Sequence, residues 1–270
     1  MRSIKSRVPF SPQRPYRPAR PATSKILFLS LEGSVTEEEY FQRVSEIFGE
    51  IKGKIQFISV AEDAVHMIPK FRTEEQNRML SKARPLQLVE RIEWFKEEYD
   101  DRYEFSKYPE DEFWMVTDID NNWSETVIHK KSGKTLLDEW RQAIALCRER
   151  GYRYAVSNPF FEVWLLLHHD QLSKEDMLFA VTDQHAYEKT THFRERLRAL
   201  GVALKDEKHL RFSDYTAENI KLAMKRAEEL HTDKEELCPR YCASTVYLLL
   251  KKVVDMLPQE ARKTQERKQT

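Results

Sequence analysis

Phe113-Trp114-Met115-Val116-Thr117-Asp118-Ile119-Asp120 is the stretch whose reading decides the fold. Phe113 to Thr117 are mostly apolar and follow one another without polar alternation. Such a run suits a strand covered on both faces of a parallel sheet. It ends in Asp118 and Asp120, and Asn121-Asn122 follow as turn formers. Open parallel sheets bind ligands at the carboxyl ends of their strands. Strand side chains alternate, so two carboxylates one residue apart project the same way. Asp118 and Asp120 therefore make an oxygen-rich half-site for a hard divalent cation such as Mg²⁺. Capping of the turn would use the same two aspartates, and this stretch alone leaves both readings open.

Upstream, Lys25 to Leu31 is a second continuously apolar run, and it leads into Glu32-Gly33. The glycine is expected to let the backbone turn with positive φ. Thr36-x-x-Glu39 carries a capping-box signature, and Tyr40, Val44, Ile47 and Phe48 have helical spacing. Glu32 thus shares the strand-end geography of Asp118 and Asp120. Ile55 to Val60 reads as another strand, and Pro85 to about Asp100 as a helix with Leu88, Ile92, Phe95 and Tyr99 on one face. The order β-α-β-α-β calls for right-handed crossovers and a parallel sheet.

Downstream, Asn121 to Lys134 is polar and rich in Lys and His, including Lys130 and Lys131, and suits a phosphate-facing loop or an ordinary solvated one. A helix through Leu137, Trp140, Ile144 and Cys147 stops at Gly151, and Tyr152 to Val156 is a fourth strand. Asn158 is expected to cap the next helix, with Pro159 as its first residue. That helix is strongly apolar and holds Glu162 one turn in, where an uncompensated carboxylate costs several kcal/mol. A site shared with Asp118 and Asp120 would supply the compensation. A distant Arg or Lys partner would instead make Glu162 structural. His168 and His169 have no partners at metal-ligand spacing. After Asp170 strand signals stop, and three helical patterns follow, through Leu197, Ala223 and Leu249.

The organisation expected is an α/β domain at 25–169 with a parallel four-stranded sheet flanked by helices. A helical C-terminal region at 170–257 packs on it, and a flexible tail occupies 258–270. Residues 1–24 form a separate class, with prolines at 9, 12, 15, 18 and 21 and basic residues between them, including Arg14, Arg17 and Arg20. This reads as a disordered, PPII-like arm, either a hand for nucleic acid or a solubilising tail. The 270 residues carry 45 basic and 45 acidic side chains, so net charge gives no argument for nucleic acid. Three cysteines without zinc-type pairing point to a reducing compartment. No apolar run approaches membrane-span length. The expectation is a cytoplasmic protein with no membrane association.

Glu-Gly after a first strand and Asp-x-Asp after a later one resemble the Toprim fold of topoisomerases, primases and overcoming-lysogenization-defect nucleases. More specifically, Leu31-Glu32-Gly33, Thr36-Glu37, Tyr40-Phe41, Thr117-Asp118-Ile119-Asp120 and Ser157-Asn158-Pro159-x-Phe161-Glu162-x-Trp164-Leu165-Leu166-Leu167-His168 resemble the RloB family. Thr245-Val246-Tyr247 resembles its C-terminal segment, and the likeness spans roughly residues 25 to 255. The resemblance implies a Toprim-like nuclease, dependent on Mg²⁺ or Mn²⁺, that acts as the effector of a phage-defence system beside an ABC-type ATPase. Carried over by position, Glu32, Asp118, Asp120 and Glu162 would be the catalytic and metal-binding acids. Apart from the resemblance, Lys130, Lys131 or Lys189 would steady the phosphate, and Arg14, Arg17 and Arg20, in the arm that lies outside it, would contact nucleic acid. The substrate, RNA (tRNA among the candidates) or DNA, stays open, as does a homodimer. The rival expectation is a non-catalytic subunit that binds nucleic acid or nucleotide, or docks the ATPase.

Overall fold

A computed structural model describes residues 25–33, 35–49, 54–58, 84–119, 125–128, 133–180, 186–202, 204–205, 209–233, 238–239 and 241–257. The apolar runs form strands β1 (Leu27–Leu31), β2 (Ile55–Phe57), β3 (Glu112–Asp118) and β4 (Arg153–Asn158). They lie parallel in the order β2-β1-β3-β4. A fifth short strand, Ala243–Ser244, pairs antiparallel with the edge of β4. The expected four-stranded sheet is therefore a five-stranded, mostly parallel one. Strand pairing also resumes after Asp170, in a two-stranded ribbon of Leu204–Lys205 and His209–Leu210. Two-residue strands carry too few residues to show a period, which is why the sequence hides them.

Both faces of the sheet are covered. Phe28, Phe113, Met115, Tyr154 and Val156 face helices α2 (Pro85–Tyr103) and α3 (Leu136–Arg150). Leu27, Leu29, Leu31, Trp114, Val116 and Ala155 face α1 (Thr36–Ile47), α4 (Phe161–Leu167) and the C-terminal helices. Those helices are α5 (Lys174–Ala180), α6 (Ala186–Ala199), α7 (Ala217–Leu230) and α8 (Val246–Asp255). Consecutive residues of β1 and β3 thus feed opposite cores, and this is why their sequences are apolar without alternation.

Local signals hold unevenly. Thr135 caps α3 by accepting from Asp138 N, and Gly151 ends it at φ 71°. Thr36 does not cap α1. The cap position is Val35, with no side-chain cap bond. Nor does Asn158 cap α4: it is the last residue of β4, and Phe160 takes the cap position. Pairing with Ala243 and a bond from its Nδ2 to Pro239 O (2.8 Å) hold Asn158 extended instead. Pro159 follows in a cis peptide, outside the helix. Thr245 anchors the C-terminal part to the sheet: its backbone N donates to Val156 O, and its hydroxyl accepts from Val156 N, each at 2.8 Å. Among the described residues no helix is long and apolar enough to cross a membrane.

Candidate active site

Glu32 leaves the end of β1 where Glu32 N donates to Val116 O of the neighbouring strand at 3.0 Å. Its carboxylate folds across to the end of β3. There Oε2 accepts from Thr117 Oγ1 at 2.5 Å and from Asp118 N at 3.0 Å. Glu32 and Asp118 therefore meet on adjacent strand ends, as their positions in the sequence predict. Asp118 is half-buried. Burial first, then the charges of Glu32, Glu37 and Glu162, hold its carboxyl well above the ordinary range. The Phe161 backbone N–H at the start of α4 donates to it and opposes that rise.

Glu37, part of the Thr36-Glu37 motif, also belongs to this rim. It lies in the first turn of α1, is buried, and its Oε1 accepts from Gly33 N at 3.1 Å. Burial, with the charges of Glu162 and Glu32 added, pushes its carboxyl up to about 7. This contact also corrects the reading of Gly33. Its φ is not positive, and a Cβ placed there would stand 1.8 Å from Glu37 Oε2. The glycine makes room for a carboxylate rather than for a turn. Only the tertiary placement of Glu37 gives that reason.

Glu162 joins the same cluster, since its charge raises both Asp118 and Glu37. It also has the distant basic partner that would make it structural. Arg194 Nε of α6 donates to Glu162 Oε1 at 2.8 Å. Burial of Glu162 is therefore compensated by an arginine, and its place in the site rests on its proximity to Asp118 and Glu37. A second arginine approaches from the opposite face of the sheet. Arg91 of α2 donates from Nη1 to Leu31 O at 3.0 Å, one residue before Glu32. Burial lowers its pKa to about 10, which leaves it charged at neutral pH.

Asp120 lies outside the described residues, as do Arg14, Arg17, Arg20, Lys130 and Lys131. Lys189 falls in α6, with its side chain outside them. His168 is a core residue. Its Nδ1 lies 2.9 Å from Trp164 O and its Nε2 3.0 Å from Tyr40 Oη, and burial lowers its pKa to about 3. A carbonyl only accepts, so Nδ1 carries the proton and Nε2 accepts from the tyrosine.

Hard carboxylate oxygens are the donors that Mg²⁺ and Mn²⁺ prefer. Mutual repulsion at Asp118 and Glu37 is what a divalent cation would relieve, so the donor chemistry fits. Among the described residues, however, no three Asp, Glu, His or Cys side chains stand ready in a metal-holding group. The sequence model of one family, described as RloB-like protein, matches residues 27–253. No curated protein and no solved structure matches this chain.

Proposed function

The chain belongs to the RloB-like family, and we propose that it is a divalent-metal-dependent phosphodiester hydrolase of the Toprim type that cuts nucleic acid. One observation carries this reading: Glu32, Glu37, Asp118 and Glu162 gather at the carboxyl rim of a parallel sheet, where burial and the charges of their neighbours hold the carboxyls of Glu37 and Asp118 above the ordinary range. Gathering like charges works against the fold, which favours a use in binding and chemistry.

Asp118, Glu162 and Glu32 would hold Mg²⁺ or Mn²⁺, with Asp120 as a further candidate next to them in sequence. Bound there, the cation would neutralise the scissile phosphate and acidify a water. The remaining work falls to the chain itself. Glu32 ties the ends of β1 and β3 together through Thr117 Oγ1 and Asp118 N, which fixes the rim. Glu37, whose carboxyl burial raises, would serve as the general acid–base. Arg91 keeps positive charge beneath the rim, where phosphate oxygens would be drawn. In the wider reading the enzyme is the effector of a phage-defence pair with an ABC-type ATPase.

Incubation with tRNA, single-stranded RNA, duplex DNA and plasmid, with and without Mg²⁺ or Mn²⁺, tests the proposal. Metal-dependent cleavage of at least one substrate, absent in Asp118→Asn, is the expected result. No cleavage of any substrate with either metal would turn the reading to a non-catalytic subunit.

A further inference from the structure

Glu162 lies in the first turn of α4, shortly after β4, whereas Arg194 belongs to α6, 32 residues later. Their side chains are 12% and 26% exposed, so the pair is largely shielded from water. A shielded, hydrogen-bonded pair is held more firmly than a surface pair. The same Glu162 carboxylate is a neighbour of Asp118 and Glu37. Arg194 thus neutralises one acid of the rim and aims that acid's oxygen at itself. A guanidinium satisfies one carboxylate through directed N–H bonds, whereas a metal ion draws several carboxylates to one centre. The contact fixes Oε1 and with it the direction of the whole Glu162 carboxylate, so the two arrangements compete for that direction.

We propose that Arg194 is a built-in competitor of the divalent cation, withholding Glu162 from the rim until the cation displaces it. This rests on the metal-dependent reading of the site and adds its control. Loading of the rim is set from α6, in the C-terminal helical part, so a movement of α6 that weakens the 2.8 Å contact raises the affinity of the rim for its ion.

Mn²⁺ titrated calorimetrically into the full chain, Arg194→Gln and Glu162→Gln tests the proposal, with circular dichroism reporting each fold. Arg194→Gln is expected to bind Mn²⁺ about tenfold more tightly than the unchanged chain, equivalent to about 1.4 kcal/mol. Glu162→Gln is expected to bind it more weakly. Equal or weaker binding by Arg194→Gln overturns the competitor role while the metal reading stands, as it would if Arg194 served only the substrate phosphate. Unchanged binding by Glu162→Gln overturns it as well. Absence of Mn²⁺ binding in every chain overturns the metal reading and the proposal together. Should Arg194→Gln not fold, Arg194→Lys keeps the charge and loses the planar fork. Tighter Mn²⁺ binding by that variant supports the proposal, and unchanged binding overturns it.

Discussion

β1 and β3 lie side by side, and their two ends are built on opposite electrostatic plans. At the amino end Lys25 Nζ meets Glu112 Oε1 at 2.5 Å, and Trp114 Nε1 donates to the other oxygen of the same carboxylate at 3.0 Å. Asp111 Oδ1 accepts from Ile26 N at 2.8 Å. Each acid there has a basic or N–H partner. At the carboxyl end the acids also have N–H or basic partners, but the same two strands bring Glu32 against Asp118, and α1 and α4 add Glu37 and Glu162 beside them. Like charges are gathered where opposite ones would hold the strands better. The difference separates stabilising chemistry from chemistry that serves a ligand, within one pair of strands.

The strongest way to break this comparison is Asp118→Asn. Removing one like charge should leave the fold intact, while metal-dependent cleavage falls by at least ~10³-fold, about 4 kcal/mol in the barrier. Cleavage at the unchanged rate would show that the crowded end has no catalytic use.

Next in size is the pH dependence of stability. Glu37 titrates near 4.5 ordinarily and near 7 in the fold. Between those values the folded chain keeps a proton that the unfolded chain has released. The stability contributed by Glu37 should therefore fall as pH rises through that window and level off above about 7. The total from Glu37 is about 3 kcal/mol, and Asp118 acts in the same direction. Denaturation midpoints measured from pH 4.5 to 8 check this, and Glu37→Gln should flatten the curve. Added Mn²⁺ should restore stability at the alkaline end.

Gly33→Ala sharpens the comparison on a smaller scale. The new Cβ would meet the flexible end of Glu37, so the fold should lose only about 1 kcal/mol. Displacement of that carboxylate should lower cleavage about a hundredfold, the foot of the general acid–base range. Wild-type cleavage with Glu37 displaced would remove Glu37 from the mechanism.

The smallest effect belongs to the other end. Lys25→Ala should cost under about 1 kcal/mol in urea denaturation, because Lys25 is partly exposed, and should leave cleavage unchanged. A loss of cleavage there would erase the contrast between the two ends.

The sequence by itself determined the four parallel strands, since burial on both faces leaves continuous apolar runs such as Leu27–Leu31 and Phe113–Val116. It also determined that Glu32 and Asp118 lie at one rim, because each directly follows or closes such a run. Tertiary structure alone decided the rest. Glu37 looks like any acid in a helix's first turn until α1 packs it beneath Glu32 and Asp118. Gly33 looks like a turn former until that carboxylate fills the space beside it. Arg91 and Arg194 have no local pattern, for they act on Leu31 and Glu162 across 60 and 32 residues of chain. The edge strand Ala243–Ser244 exists because Thr245 bonds to Val156. Periodicity records how a segment is buried, while charge pairing depends on which distant segments the packing brings within reach.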